Sequence, residues 1–372
     1  MSVYHWLVIL VVGLSVLLRG NKKGNTVYIV LAVALLFCVY GLRDCYTIGD
    51  DSSSSYLHQF ERMEETEWRD LPNLSDWLHF GRANEADSGR NRNIGLPNLM
   101  KLVYYWTDGN YQVLIILISA FVMIAFAHFI LHFSISPIQS ILYYLGLLFY
   151  IFNFSSLKQS IAMAIIMLSF DDIIEGRPER FTFAVLIASM VHFPALVFLP
   201  AYLIVNRRLE TSFPLLLLGL FIFTYLFRDY LVRMMADVYE MSVSSSKGRF
   251  LANKVLIMLF ILAAAYVIRP PDAEDRLYNG LLRFLGIAAV IQTFSAYSNV
   301  FERLADYYFQ FSVILLPMIF AEVRTEKRYL SKHNLNLARF AGPIFCCTFA
   351  VWRFLNVVTG DSSLFPYHFF FE

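Results

Sequence analysis

The chain has 372 residues, of which 58% are hydrophobic, 17% aromatic and 16% charged, where a soluble globular protein carries about 25% charged residues. Thirty Lys+Arg against 29 Asp+Glu leave a formal charge of +1, and there are four Cys. A basic nucleic-acid-binding domain and a secreted disulfide framework are both excluded. So much apolar surface could not be kept off a soluble exterior, so the composition is that of a multispanning membrane protein.

A bilayer core about 30 Å thick takes about 20 apolar residues in a helix. Val3–Leu18 has no basic stretch before it and no small-residue cleavage site after it, so it reads as a spanning helix, not a secretion signal. Arg19, Lys22 and Lys23 follow, and Thr26–Leu42 makes the second span. The next segment, Arg43 to Asn93, holds eleven acidic and six basic residues, a net of −5. Its spaced aromatics Tyr56, Phe60, Trp68, Trp77 and Phe80 predict short amphipathic helices against the membrane. Ile94–Trp106 is too short to span and is expected to be re-entrant or interfacial.

Further spans are expected at Tyr111–Phe133, Pro137–Phe154, Leu157–Ile174, Phe181–Val205, Phe213–Phe227, Leu251–Ile268, Leu277–Tyr297, Tyr307–Glu322 and Phe340–Val358. The expected fold is an all-α integral membrane protein of about 11–12 transmembrane helices, with one broken or re-entrant segment and a helical extracytoplasmic loop. On this reading residues 1–42 are the first two helices, 43–110 the acidic extracytoplasmic loop, and 111–372 a polytopic bundle.

Basic short loops mark the cytoplasmic side. Arg19–Lys23, Asn206–Arg208 and Arg324–Arg339 are basic, the last with a net of +4. Placing all three in the cytoplasm leaves the count one crossing short between the first two of them. The preferred resolution is a break or hairpin in Phe181–Val205, where Pro194 and Pro200 interrupt the helix near His192. The alternative is that Ile94–Trp106 crosses. With the break, the acidic segment, Ser155–Lys158, His192, Arg228–Arg249 and Ser298–Tyr308 face outward.

Ionisable groups near membrane depth are expensive and so are candidates for function. Lys158 is either a snorkelling helix-end lysine or a cation for phosphate or pyrophosphate, with Gln159 offering a hydrogen bond to sugar. His192, flanked by apolar residues, is either a satisfied structural histidine or a general base in the polar pocket of a broken helix. Arg303 either pairs locally with Glu302 or Asp306, or presents its planar fork to phosphate with Tyr307 and Tyr308 against sugar rings. Arg43 either anchors a helix end or binds substrate, and Asp50 and Asp51 either cap a helix or orient a sugar hydroxyl. His128 and His132, four residues apart, lack the Glu of a metalloprotease motif, and no metal is expected there. Nucleotide and phosphate-loop motifs are absent from the sequence, so no cofactor is expected.

Five segments taken in order resemble the EpsG-like branch of the Wzy polysaccharide polymerases, which act on O-antigen, capsule or exopolysaccharide. They are Gly41–Tyr56, Gly95-Leu96 with Asn98-Leu99, Lys158-Gln159 with Ala162, Ala188 with His192, Ala195 and Leu199-Pro200, and Arg303 with Tyr307-Tyr308-Phe309 and Leu316-Pro317. Departures occur at Lys158, where the family has Arg, at Asp51-Ser52 with Tyr56 one residue late, around Asn93, and at Phe193-Pro194 after the His.

The resemblance implies a membrane glycosyltransferase that uses no nucleotide sugar. It would move a growing glycan from undecaprenyl pyrophosphate to an incoming lipid-linked repeat unit, on the extracytoplasmic face of a bacterial cytoplasmic membrane. Lys158 and Arg303, with Arg43, would stabilise the leaving pyrophosphate, and His192 or Asp51 would be the base. Gln159, Tyr307, Tyr308 and Tyr56 would bind substrate. Membrane lipids, a chain-length regulator and a flippase are the expected partners, and no nucleic acid. The competing classes are a flippase for lipid-linked oligosaccharides and a non-catalytic member of an export complex.

Overall fold

The structure, a computed structural model, describes residues 2–18, 22–49, 55–78, 93–206, 213–239, 253–270, 275–321 and 332–372. Among the described residues there is no strand; Arg43 and Phe369 form an isolated antiparallel bridge. Among the described residues, four helices are long and apolar enough to cross a membrane: Lys23–Gly41, Tyr111–Phe133, Leu215–Arg233 and His333–Gly360. Val3–Leu17, Phe193–Asn206 and Asn253–Ile268 are shorter apolar helices. The chain divides into two compact units, one of residues 1–170, 183–196 and 345–372, the other of 171–182 and 197–344.

The first unit contains α1 (Val3–Leu17), α2 (Lys22–Gly41), α3 (Ser55–Glu61), α4 (Leu74–Leu78), α5 (Gly95–Thr107), α6 (Tyr111–Phe133), α7 (Pro137–Gly146), α8 (Phe149–Phe152) and α9 (Leu157–Leu168). α6 is its axis, with α2 and α9 packed along it. Gln112 of α6 donates to the Gly41 carbonyl at 3.0 Å and accepts from the Cys45 amide at 3.3 Å. A buried side-chain amide thus satisfies a carbonyl that the end of α2 leaves unpaired and an amide of the loop that follows. The described part of the acidic segment contains α3, a 3-10 turn at Trp68–Asp70, and α4, joined by turns and irregular stretches. α5 holds it down: Lys101 donates to the Met63 carbonyl at 2.5 Å and Asn98 to the Pro72 carbonyl at 3.0 Å. The other side of α5 is open, with Tyr105 and Trp106 exposed.

Besides Phe181–Val205, three spans expected to be continuous are broken. Pro137–Phe154 divides into α7 and α8 at Leu147–Leu148, where Leu148 has φ +70°. The carbonyl that the end of α7 exposes, that of Gly146, accepts from Arg353. Gly146 is needed there, because a Cβ on it would fall 2.4 Å from Ala350 Cα. Leu157–Ile174 breaks at Ser169, whose hydroxyl takes the Ile166 carbonyl at 2.9 Å and competes with the helix ladder. Tyr307–Glu322 breaks at Gln310–Phe311, where Val313 bonds back three residues to Gln310. Pro317, inside the following helix, has no N–H to give the Val313 carbonyl.

α10 (Phe170–Ile174) and α11 (Pro178–Val191) each contribute to both units. The second unit is built from α12 (Ala201–Asn206), α13 (Phe213–Tyr239), α14 (Asn253–Ile268), α15 (Arg276–Gln292), α16 (Asn299–Phe309) and α17 (Ser312–Phe320), with α15 in the centre. Asp275 caps α15 by accepting from the Tyr278 amide at 3.0 Å and also pairs with Arg269, which donates to the Met318 carbonyl at 2.7 Å. α13 continues through Arg228, Asp229 and Arg233, past the expected end at Phe227. α18 (Lys332–Gly360) again contributes to both units.

Candidate functional site

In the first unit the structure brings together Lys158 and Tyr56. Lys158 stands in the first turn of α9, and its ammonium is 5.5 Å from the centroid of the Tyr56 ring. Tyr56 owes its place to Phe60, one turn later on the same side of α3. Phe60 is buried, with ring centroids 5.4 Å from Tyr104 and 5.2 Å from Tyr111. An apolar anchor therefore sets the aromatic face over the cation. Gln159 is buried beside them, its amide nitrogen 3.7 Å from Met163 Sδ.

The turn that starts α9 is pinned from beneath by Arg43, which has no exposed surface. Its guanidinium donates to the carbonyls of Tyr40 at 2.8 Å, Ile48 at 3.3 Å and Phe154 at 3.4 Å. It also lies 4.9 Å and 4.7 Å from the ring centroids of Tyr40 and Phe154. Tyr40 adds a hydrogen bond to the Asn153 carbonyl at 2.8 Å. The loop after α2 is closed by the C-terminal tail: Asp44 and Gly49 amides donate to His368 and Ser363 carbonyls at 3.0 and 2.7 Å. Gly49, at φ +100°, must be glycine, since a Cβ would stand 2.9 Å from the Phe154 carbonyl oxygen.

His192 sits where α11 stops. Its amide closes the last turn on Ala188 at 2.9 Å, and its carbonyl accepts from Ala195 at 2.9 Å to begin the 3-10 turn Phe193–Phe198. The break expected at this histidine is therefore present. Asn93 supplies the partner it requires, accepting from the Phe193 amide at 2.9 Å. A Cβ on Gly95 would meet Val191 Cγ2 at 2.7 Å, so the start of α5 lies directly against the break. Asp51 lies outside the described residues.

In the second unit Arg303 is exposed on α16, whereas Tyr307 and Tyr308 are buried. The Tyr308 hydroxyl donates to the Val197 carbonyl at 2.6 Å, and its ring packs on Phe198 and Phe284 with centroids 5.1 and 5.4 Å away. The tyrosine pair is thus built into the packing of this unit. The carboxylates expected beside Arg303 are held by a residue that sequence reasoning passed over. Lys254, in the first turn of α14, lies 2.5 Å from Asp306 and 3.1 Å from Glu302. Its place inside an apolar run, costly for a charge, was the available signal.

These helices and buried polar contacts define an all-α, multi-pass membrane protein. The chain belongs to the EpsG family, whose model matches residues 26–369. EpsG-like proteins are Wzy-type polymerases, so the role is that of a polysaccharide polymerase. No curated protein and no solved structure matches the chain.

Proposed function

We propose that the protein joins lipid-linked oligosaccharide repeat units into a surface polysaccharide, at the extracytoplasmic face of a bacterial cytoplasmic membrane. On this reading the carrier is undecaprenyl pyrophosphate, and the lipid pyrophosphate is the leaving group. An acceptor hydroxyl on the incoming unit attacks the anomeric carbon of the growing glycan. The bond from that carbon to the pyrophosphate oxygen breaks, and the lipid pyrophosphate departs with the electron pair.

The observation that carries this reading is the Lys158 ammonium held against Tyr56 at the start of α9. A cation beside an aromatic face suits an anionic leaving group next to a sugar ring. Standing against the ring, the ammonium offers positive charge as negative charge grows on the pyrophosphate. His192 or Asp51 takes the hydroxyl proton, and Gln159 contacts sugar. Arg303 is proposed separately as a phosphate contact of its own unit. A chain-length regulator and a flippase are the proposed partners.

The test is purified protein in liposomes with a lipid-pyrophosphate repeat unit. A ladder of products is expected. Translocation without bond formation would make the protein a flippase, and neither outcome would make it a scaffold.

A further inference from the structure

α16 carries Glu302, Arg303 and Asp306 within five residues, and the structure separates them by face. Ser298 caps the helix by accepting from the Val300 amide at 3.3 Å. Ala305, Asp306, Tyr307, Tyr308 and Phe309 are buried, while Arg303 is exposed. A carboxylate 2% exposed needs a partner, because leaving it ionised and alone among apolar neighbours is costly. Lys254 meets that need from α14, at 2.5 Å from Asp306, and extends the contact to Glu302 at 3.1 Å. The same ammonium is 5.8 Å from the centroid of Phe309.

Positions 302, 306 and 309 follow the spacing of one helix face. One ammonium therefore touches a single stripe of α16 over two turns, which sets both its rotation and its height relative to α14. Each residue of a helix is turned about 100° from the one before it. A stripe held at Glu302 thus dictates the direction of Arg303. Exposed ion pairs contribute little to stability, but this one has a buried member and two carboxylates on one cation.

We propose that Lys254 is a positioning residue: through Asp306 and Glu302 it orients α16 so that Arg303 meets a phosphate of the lipid-linked substrate. The inference rests on the reading of Arg303 as a phosphate contact.

The experiment compares Lys254→Met, Lys254→Arg, Asp306→Asn, Arg303→Ala and the double variant Lys254→Met/Arg303→Ala. Rates are measured in liposomes with a synthetic lipid-pyrophosphate repeat unit and are normalised to folded protein by size exclusion. Misplacing a contact group costs about tenfold to a hundredfold. Lys254→Met is expected to lose that much in kcat/KM, chiefly through a higher KM, with Lys254→Arg recovering most of it.

In the Arg303→Ala background the same change should cost nothing more, since Lys254 acts through Arg303. Should Lys254→Met not fold, Asp306→Asn keeps the side-chain shape, and combined with Arg303→Ala it must show the same pattern. Independent, multiplying losses would overturn the inference while leaving Arg303 its role. So would full activity in Lys254→Met. An Arg303→Ala variant with undiminished activity would overturn the reading of Arg303 itself, and the inference with it.

Discussion

The Lys158 ammonium lies 5.5 Å from the centroid of the Tyr56 ring, joining the acidic segment after α2 to the first turn of α9. Residues about a hundred positions apart in sequence meet because Phe60 is buried against Tyr104 and Tyr111. A cation over an aromatic face contributes about 0.5–2 kcal/mol. Tyr56→Ala is therefore expected to reduce polymerisation about two- to thirtyfold, and Tyr56→Phe to lose clearly less. Equal losses in the two variants, measured as product per folded protein, would remove the ring from the site. Lys158→Ala is expected to lose more than either.

Arg43→Lys is expected to behave almost as badly as Arg43→Ala. An ammonium cannot reach the carbonyls of Tyr40, Ile48 and Phe154 together, and each buried carbonyl left unpaired costs about 1–3 kcal/mol. The check is thermal unfolding in detergent, where both variants should melt well below the parent. A melting point unchanged in Arg43→Lys would show that the charge alone matters.

Gly146→Ala tests the break between α7 and α8. The added carbon would stand 2.3 Å from Ala350 Cβ, with the Ala350 backbone hardly farther away. Overpacking of this kind costs about 1–3 kcal/mol, so a lower yield of monodisperse protein is expected. Ala350→Gly should not restore it, because the Ala350 Cα, 2.4 Å from the added carbon, stays in place. Full recovery in that double variant would show that the approach of the two backbones is not what demands glycine.

Tyr308→Phe separates a packing tyrosine from a sugar contact. Its hydroxyl donates to the Val197 carbonyl at 2.6 Å, and losing one such bond costs about 1 kcal/mol. The melting temperature should fall by a few degrees while the KM for the repeat unit stays unchanged. A raised KM at unaltered stability would return Tyr308 to substrate binding.

Single cysteines placed at Ser155 and Ser134 report orientation. With the cytoplasm on the side of the basic loops, Ser155 should react with an impermeant reagent added outside, and Ser134 should not. The reverse pattern would mean that Ile94–Trp106 crosses the membrane and that the helices after it are inverted.

Much of this was legible in the sequence. Tyr111–Phe133 is a helix at its expected bounds, and the stop at His192 follows from Pro194, which cannot donate to Met190. The breaks at Leu147–Leu148 and Ser169 were not legible, since hydropathy is continuous across them. They are set by who takes the released carbonyl, Arg353 in one case and the serine's own hydroxyl in the other. Arg43 shows the same limit. As a charge after a span it looks like an anchor or a ligand, and only the folded loop reveals that its guanidinium is spent on backbone carbonyls.

By itself the sequence determined that the protein is helical and membrane-spanning, because composition and run length answer directly to the cost of placing polar groups in lipid. It also singled out the cations and the histidine, since each stands out against an apolar background. Tertiary structure alone decided their partners: Tyr56 for Lys158, Asn93 for the break at His192, Lys254 for the carboxylates of α16. Those pairings join distant positions through packing. No spacing rule along one helix reaches across a hundred residues, whereas a buried Phe60 or a paired buried charge does.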